Sequence, residues 1–566
     1  MSTFSYDVVI IGGGATGLRA ALEVAKTKNV SCAVVSKLFP LRSQTCMAQG
    51  GMNAALNNHP EDGEDTIEHH FRDTVKGGEF LNDQDAVEYF CEQAPECVIE
   101  LEHMGMVFSR NEDGTIAQRP FGGGMFPRTC FARDYTGHIL LSTLLTEVMR
   151  HEIPIHSEWH FHSLIVEEGK VKGILALDMH TAEVIEIKAK SVVIATGGAG
   201  NLFQDTVNAT SSTGDGVGIA YRAGVPLKDI EFIQFHPTSL AYKGILVTEA
   251  ARGENGYLIN NKGERFMKRY APEKMELASR DVVAQAIQQE IDSGHGVHGA
   301  VLLDLTHLGA ERIKKRLPQV YKLVKDFADI DCTKEAIPVR PAAHYLMGGI
   351  DINKDCETSV KGLYAAGECS CMNLHGANRL GGNSLMETVV FGKRAGEVAS
   401  LYAQNESESK IEKSPVKETS KEIETLLKRE KGTHYSKIKH ELTKTLEENA
   451  GIFRSHTSLT KGLEGLYKLR EEYENVTLGS SENCYNYALY EALELRNLLD
   501  ISRAFFVSAE KRKESRGAHA RKDFPLKDNK KFHKHSLTHY QGDDDPKVTY
   551  KDVTITSYPL PIEPKD

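Results

Sequence analysis

The chain has no long apolar run. A membrane-spanning helix needs about 18 consecutive apolar residues, and no stretch of these 566 residues approaches that length. Room for a leader is also missing, because a strand pattern has begun by Tyr6, too early for a signal peptide or a twin-arginine leader. We therefore expect a cytoplasmic protein, or one that lies peripherally on the cytoplasmic face of the inner membrane.

The chain also lacks the cysteine spacing typical of disulfides and an excess of positive charge. Ten cysteines in a chain of this length do not indicate a disulfide framework. No C-x-x-C run is present for an iron–sulfur cluster, so any one-electron chemistry needs a partner that carries the cluster. The closest pair, Cys369 and Cys371, is interpreted as a small-residue turn rather than a redox pair. A net charge of −11 argues against a nucleic-acid surface.

What the chain does contain is typical of a soluble, multidomain α/β protein. Its length predicts about three or four domain-sized units, and its 40% hydrophobic and 26% charged residues are ordinary for a globular protein. The 48 glycines are a mild excess, as expected where the backbone must approach a bulky ligand.

The N-terminal segment predicts a dinucleotide site. An apolar run at 8–11 is followed by Gly12, Gly14 and Gly17 in G-x-G-x-x-G spacing, and then by an alanine-rich helix. A pyrophosphate would lie at the N-terminus of that helix, where free N–H groups favour anions. The acid that usually holds the ribose after the second strand is replaced by Ser36 and Lys37, which indicates a variant of the fingerprint.

Two later glycine-rich strand ends, at 192–200 and 362–368, predict that the chain returns twice to the same sheet. The fold is therefore predicted to be α/β, with a Rossmann-like nucleotide-binding domain that is discontinuous over 1–230 and 351–415. An α+β capping domain is inserted at 231–350, a helical bundle follows at 416–525, and a polar tail occupies 526–566. The polar stretch at 403–417 is interpreted as a linker. Thr419 and Glu422 have capping-box spacing for the first helix after it.

Several segments of the predicted capping domain, together with residues 375–385 of the nucleotide-binding domain, place charged side chains beside glycines in a way that packing alone does not require. A polar set of this kind is costly to bury unless its members are paired or bind something. Arginine forks match carboxylate geometry, so the set predicts a pocket for a small dicarboxylate. Beside a flavin, such a pocket is suited to hydride transfer. The set consists of His236, Thr248, Glu249, Arg252, Arg280, His344 and Arg379.

Over residues 5 to about 525 the sequence resembles the flavoprotein subunits of the succinate dehydrogenase/fumarate reductase family. The motifs that carry the resemblance are QRPFGG (118–123), TGDG (213–216), FHPT (235–238), TEAARGE (248–254), GERFM (263–267), HYLMGGI (344–350), HGANRLGGNSL (375–385) and ESRGAH (514–519). The resemblance implies an FAD-dependent oxidoreductase that interconverts fumarate and succinate and exchanges electrons with an iron–sulfur subunit. A membrane anchor subunit, or a soluble thiol or quinone module, would lie beyond that partner.

The resemblance also implies roles for individual residues. His236, Thr248, Glu249, His344 and Arg379 would bind the dicarboxylate. Arg280 would deliver the proton, with Glu249 and Arg252 reloading it. The residues implied in FAD binding are Gly12, Gly13, Gly14, Ala15, Gly17, Ser36, Lys37, Ser43, Gln44, Thr45, Gly50, Gly51, Asp215, Glu368, Ser384 and Leu385.

Gln44 departs from the family pattern. Members with covalently bound FAD carry a histidine at this position, which is the attachment point, and glutamine has no ring nitrogen that could form that bond. The sequence therefore predicts non-covalent FAD. In the family the covalent link accompanies efficient succinate oxidation, so its absence favours fumarate reduction.

Two alternative functions stay open, and several further arginines and histidines have other interpretations. L-Aspartate oxidase, a relative with non-covalent FAD, is an alternative, as is a flavin-carrying electron-transfer subunit without its own substrate. Arg512, Arg516 and Arg521 could form a basic surface face, or could lie near the contact with the iron–sulfur partner. Three histidine pairs in polar stretches are expected at the surface: His69 and His70, His160 and His162, His533 and His535.

Overall fold

The computed structural model describes residues 3–59 and 63–561. Its strands are, in chain order, β1 (Thr3–Ile11), β2 (Cys32–Ser36), β3 (Met52–Asn53), β4 (Gln118–Arg119), β5 (Thr129–Cys130), β6 (Ile155–Ser157), β7 (Trp159–Glu167), β8 (Lys170–Asp178), β9 (Val184–Ile194), β10 (Leu227–Lys228), β11 (Ile233–Leu240), β12 (Ile245–Leu246), β13 (Tyr257–Ile259), β14 (Val301–Asp304), β15 (Ile337–Leu346), β16 (Gly349–Asp351), β17 (Leu363–Ala365), β18 (Ser370–Cys371), β19 (Thr433–His434), β20 (Phe453–Arg454), β21 (Val476–Thr477), β22 (Ala520–Arg521), β23 (Lys534–His539) and β24 (Lys547–Asp552).

Helices connect and cover these strands. The α-helices are, in chain order, α1 (Ala15–Ala25), α2 (Ile67–Gly77), α3 (Gln84–His103), α4 (Thr136–Arg150), α5 (Asp215–Arg222), α6 (Ala250–Gly253), α7 (Met267–Tyr270), α8 (Arg280–Asp292), α9 (Ala310–Arg316), α10 (Pro318–Ala328), α11 (Asn383–Asn405), α12 (Val416–Leu427), α13 (Tyr435–Ala450), α14 (His456–Glu474), α15 (Tyr487–Lys511) and α16 (Asn529–Phe532). In the described part of the chain, none of these helices has the length and apolar character to cross a membrane.

A seven-stranded sheet forms the base of the nucleotide-binding part. Its order is β6-β2-β1-β9-β8-β7, with β17 beside β9. Strand β1 runs parallel to both β2 and β9, which explains why residues 8–11 are apolar without alternation. Strand β17 also pairs in parallel with β9, so the chain returns to this sheet after the insertion. The predicted Rossmann-like fold with an inserted unit is confirmed.

The inserted segment builds a separate antiparallel sheet in the order β12-β11-β15-β14-β13, with its own hydrophobic core. Strands β11 and β15 are irregular where they face the nucleotide-binding part. Gln234 pairs with Tyr345 and Phe235 with Ala343, so His344 is bulged out, and the register shifts again just after His236. Both histidines of the predicted pocket thus lie at irregular positions of the strands. Bulges change the direction of side chains, so these irregularities affect where the two rings point.

Helices α12 to α15 form the predicted helical bundle, but its start differs from the prediction. Helix α12 begins at Val416, and the amide of Thr419 already makes a helical hydrogen bond to the carbonyl of Pro415 at 3.0 Å. Thr419 is therefore inside the first turn, so the predicted capping box is wrong. The connection before it covers 406–415, because α11 extends to Asn405.

The C-terminal segment is more ordered than a tail. Strands β23 and β24 form a hairpin that joins β10 in a five-stranded sheet of order β18-β16-β10-β23-β24. The domain boundaries stay predictions, and their outermost ends, 1 and 566, lie outside the described residues.

The expectation of surface histidines is wrong for His70, His160 and His535, which are buried, whereas the other three are partly exposed. His70 Nε2 lies 3.0 Å from the side-chain oxygen of Asn383, and His535 contacts two aspartates. These partners come from distant segments, so the polar local sequence misled the prediction.

The basic-face interpretation of Arg512, Arg516 and Arg521 is also wrong, because all three are at most 2% exposed. Arg512 Nε donates to Glu231 at 2.5 Å, and its Nη1 donates to Glu514 at 3.2 Å. The arginines therefore form an interior ion network that ties α15 to the start of the inserted segment. That the surrounding segment lies near a partner contact stays a prediction.

Candidate functional site

A cavity of about 600 Å³ opens at the carboxyl ends of β1, β2 and β9. Ligands of open α/β sheets bind at this edge. Lys243, Leu323 and Phe327 of the inserted segment line its other side. The predicted FAD residues that line it are Gly12, Gly13, Gly14, Ala15, Ser36, Lys37, Ser43, Gln44, Thr45, Asp215, Glu368, Ser384 and Leu385. Gly17, Gly50 and Gly51 do not line it.

The glycine turn explains how a pyrophosphate can approach the backbone. Gly12 has φ +118°, and a Cβ there would lie 2.1 Å from the carbonyl oxygen of Ala195. A Cβ on Gly17 would lie 1.9 Å from the oxygen of Gly12, so this glycine brings α1 close to the turn. The N-terminus of α1, at Ala15, lines the cavity and offers backbone N–H groups to an anion.

Lys37, which replaces the usual ribose acid, lies in a cluster of opposite charges. Its ammonium contacts Asp215 at 2.7 Å and Glu494 at 2.6 Å. Burial disfavours the charged ammonium, but the two carboxylates outweigh it and raise the pKa of Lys37. Glu494 was missed by the sequence reasoning, since it comes from α15 and no motif marks it. Lys37 thus ties the second strand to α5 and α15 under the cavity.

Glu368 and Gln44 are two further polar residues that line the cavity. The carboxylate of Glu368 accepts the Leu346 amide at 3.0 Å, and burial raises its pKa to about 7. The side-chain oxygen of Gln44 accepts the Ala209 amide at 2.6 Å. The cradle of glycines, the helix N-terminus and these polar groups fit a dinucleotide of the size of FAD.

A second group of side chains lies between the inserted segment and the nucleotide-binding part. Arg280, the first residue of α8, donates from Nε to Glu249 Oε2 at 2.9 Å, and its Nη2 lies 2.9 Å from the same oxygen. Its Nη1 donates to Gln234 at 3.1 Å. Nη2 of Arg252 lies 3.9 Å from Glu249 Oε2. The carboxylate of Glu249 therefore lies between the two arginines, so the three side chains follow one another in the order Arg252, Glu249, Arg280.

Glu249 stays ionised in this setting. Burial raises the pKa of a carboxyl group, but Arg280 and Arg252 outweigh that effect and hold the pKa of Glu249 below its ordinary value. The amide of Gly122 donates to its other oxygen at 2.8 Å. A Cβ at Gly122 would lie only 2.6 Å from that oxygen, so the QRPFGG loop needs glycine at this point.

The two predicted histidines face each other. The rings of His236 and His344 lie 5.1 Å apart in an edge-to-face arrangement. Burial lowers the pKa of each well below its ordinary value, and nearby Arg280 lowers both further. Both are therefore neutral near pH 7. Nδ1 of His344 is buried and has no hydrogen-bond partner in the described part of the chain, so it is available to a ligand.

Arg379 provides a third guanidinium. It lies 4.3 Å above the Tyr345 ring, and its Nη1 donates to Ser384 at 2.7 Å. Burial and the charge of Arg280 lower its pKa to about 9, so it remains protonated at neutral pH. Its Nε lacks a partner among the described residues. Arg379 and His344 also line the dinucleotide cavity, which places them between the two sites.

Thr248 is the remaining member of the predicted set, and three residues outside that set also contact the site. Thr248 is buried, and its hydroxyl accepts the amide of Ala250 at 3.4 Å at the start of α6. Gln234, Tyr345 and Gly381 were missed as contacts of the site. A Cβ on Gly381 would lie 3.2 Å from Arg280 Nη2 and 3.2 Å from Glu249 Oε2. Only the duplicated glycines of the RLGG motif could have signalled this close approach.

Comparisons with known proteins show similarity to two protein families and to individual relatives over nearly the whole chain. The family described as FAD binding domain matches residues 7–385, and the family described as fumarate reductase flavoprotein C-term matches 439–566. The succinate dehydrogenase flavoprotein subunit of Coxiella burnetii is 43% identical, over 99% of this chain and 97% of its own length. The fumarate reductase flavoprotein subunit of Mycobacterium tuberculosis is 42% identical, over 98% of each chain.

Solved structures show the same similarity. A mutated FrdA of the E. coli quinol fumarate reductase matches with a TM-score of 0.94 and 39% identity, over 99% of this chain and 98% of that chain. Mycobacterium smegmatis Sdh1 matches with a TM-score of 0.86 and 37% identity, over 97% and 94% of the two chains.

Proposed function

Because this chain belongs to the family of succinate dehydrogenase and fumarate reductase flavoprotein subunits, we propose that it reduces fumarate to succinate at the pocket between Arg280 and Arg379. It is an FAD-dependent oxidoreductase. Relatives carry both names, so the family alone leaves the direction open.

The proposal rests mainly on the buried side chains of Arg252, Glu249 and Arg280, which follow one another in space beside the two histidines. Arg379 binds one carboxylate of the substrate through its free guanidinium edge. His236 and His344 donate hydrogen bonds to the substrate while neutral, because each neutral ring still carries one N–H. The pocket excludes water since every one of these side chains is largely buried.

FAD held in the adjoining cavity would, in its two-electron-reduced form, supply the hydride for the reduction. Arg280 gives one proton to the carbon that the hydride does not reach, so a hydride and a proton together convert fumarate to succinate. A guanidinium is a weak acid, with a pKa above about 12. Its role is therefore transient. Arg280 is reloaded through Glu249, which lies within hydrogen-bond distance, and Glu249 is reloaded in turn by Arg252.

Gln44 supports the reductive direction. Its side-chain oxygen is engaged by the Ala209 amide, and an amide group has no nucleophilic ring nitrogen for a bond to flavin. We expect non-covalent FAD, and hence a flavin better suited to reducing fumarate than to oxidising succinate. Electrons would come from an iron–sulfur subunit, which in turn would attach this chain peripherally to a membrane anchor on the cytoplasmic side.

Two assays test this function. Acid precipitation of the purified protein should leave the yellow flavin in the supernatant; colour that stays in the pellet contradicts non-covalent binding. Reduced viologen with fumarate should be turned over faster than dye with succinate. The opposite ratio contradicts the proposed direction, and oxidation of L-aspartate in place of both would favour the aspartate oxidase alternative. Subunits that co-purify from the native host identify the partner.

A further inference from the structure

The outermost arginine of the proposed relay is held from one side only. The side chain of Arg252 is fully buried, and its Nη1 donates to the main-chain oxygen of Glu276 at 2.6 Å. Its Nη2 faces Glu249 at the longer distance of 3.9 Å, and its Nε has no partner among the described residues. Among the described residues, the hydrogen bond to the Glu276 oxygen is therefore the one short polar contact that orients this buried guanidinium.

The carbonyl that makes this bond belongs to a strained turn. Glu276 lies in the 3-10 turn Met275–Leu277, and Met275 has φ +50°, a left-handed conformation that is costly for a residue with a side chain. Such a turn persists only when surrounding contacts hold it. The orientation of the Glu276 carbonyl thus depends on what anchors the residue.

The anchor is the side chain of Glu276 itself. Its carboxylate is 2% exposed and accepts three hydrogen bonds: from the Leu258 amide at 3.1 Å, from Arg265 Nε at 2.7 Å and from Arg265 Nη2 at 2.5 Å. The side chain of Arg265 is 39% exposed and also lies over the Tyr257 ring. A two-point ion pair that reaches the surface thus clamps the turn.

We propose that Glu276, clamped by Arg265, is a positioning residue that sets Arg252 at the distance from which it reloads Glu249. This inference rests on the proposed fumarate reduction and deepens it. The carboxylate of Glu276 does not touch the substrate or the reacting proton. It acts through its own main-chain oxygen, and no atom other than the relayed proton is exchanged.

A matched ion pair in the same part of the molecule provides the control. Glu290 is also 2% exposed, and its carboxylate accepts from Arg269 at 2.6 Å and from Tyr270 at 2.8 Å. The side chain of Arg269 is 52% exposed. None of the hydrogen bonds described for Glu290 reaches Arg252. Loss of the Arg269 pair therefore removes a similar ion pair without loosening the relay.

The experiment compares Arg265→Gln with Arg269→Gln, since both arginines lie partly at the surface and their loss should not prevent folding. Fumarate reduction by reduced viologen is measured in the purified flavoprotein in H₂O and D₂O. For Arg265→Gln we expect kcat to fall by about tenfold to a hundredfold, because misplacing a group by about 1 Å can cost that much. KM should stay within about twofold, and the solvent isotope effect on kcat should rise, because reloading becomes slower. Glu276→Gln, which keeps one acceptor, should show a smaller loss of the same kind.

The outcomes separate the inference from the function on which it rests. Arg269→Gln should keep the wild-type kcat and isotope effect. If Arg265→Gln and Arg269→Gln behave alike, or if Arg265→Gln raises KM and leaves the isotope effect unchanged, the positioning role is wrong although the enzyme still reduces fumarate. If the wild-type protein does not reduce fumarate, the proposed function fails and the inference fails with it.

Discussion

Replacement of Arg280 by lysine should abolish most fumarate reduction while FAD stays bound. The guanidinium makes three contacts: Nε to Glu249 at 2.9 Å, Nη2 to the same carboxylate oxygen at 2.9 Å, and Nη1 to Gln234 at 3.1 Å. A lysine keeps the positive charge but has one nitrogen, so it can occupy only one of these positions. The proton is then no longer held where the substrate carbon lies.

The size of the effect follows from the role of Arg280. A positioned general acid contributes about 10²–10⁴ to the rate, which corresponds to about 3–5 kcal/mol on the barrier. We expect kcat to fall by that factor. KM should change by less than about tenfold, since the charge that attracts the substrate is retained. FAD content should not change, because Arg280 does not line the cavity.

The assay is viologen-dependent fumarate reduction, together with the flavin absorbance of the purified protein. Arg312→Lys is a matched control. Arg312 also contacts a single carboxylate oxygen through Nε and Nη2, at 3.1 Å and 2.9 Å from Glu254, but half of its side chain is exposed. Turnover by Arg280→Lys within tenfold of the wild type would refute the assignment of the acid, and an equal loss in Arg312→Lys would show that the effect is not specific to the pocket.

Two further predictions concern binding and stability. Arg379→Gln removes charge-assisted hydrogen bonds worth about 1.5–3 kcal/mol, so KM for fumarate should rise by about tenfold or more; an unchanged KM in steady-state kinetics contradicts its role in binding. His160 is buried without a hydrogen-bond partner among the described residues, and burial lowers its pKa to about 4, so the unfolded chain takes up a proton first as the pH falls below about 6.5. Between pH 7 and pH 5, protonation of this histidine in the unfolded chain should lower the free energy of unfolding of the wild type by about 2 kcal/mol. His160→Phe should show a smaller drop in Tm over that range, and an equal drop counts against this linkage.

The fold could be predicted where the information is local. The strand, glycine turn and helix at 8–25 are adjacent in sequence, and the turn needs glycine at Gly12 because a carbonyl lies where a Cβ would be. The return of β17 to the first sheet was likewise signalled by an apolar strand that ends in glycine. Local signals failed at Thr419, where Pro415 starts the helix one turn earlier.

The candidate site was only partly within reach of the sequence. Its charged residues stand out because they lie among glycines, but their pairing depends on contacts between distant segments. The hydrogen bond between Arg280 and Gln234 joins residues 46 positions apart in the chain, and the one between Gly122 and Glu249 joins residues 127 positions apart. The interior ion pair of Arg512 with Glu231 spans 281 positions. No local pattern distinguishes such an arginine from one on the surface, and only the fold brings its partner to it.

The charges of the pocket between the two parts of the molecule bear on which ligand the proposed function would favour. Arg252, Arg280 and Arg379 are three buried cations around the ionised Glu249, and the charges of Glu276, Glu368 and Glu387 also act on Arg252 or Arg379. Each carboxylate of a dicarboxylate could pair with a guanidinium here, whereas a monocarboxylate would leave one guanidinium without that partner away from water, at a cost in free energy. Fumarate and succinate carry the same charge, so these arginines would bind both without favouring either. Under the proposed function, the balance between the two directions would therefore depend on the flavin and not on the arginines.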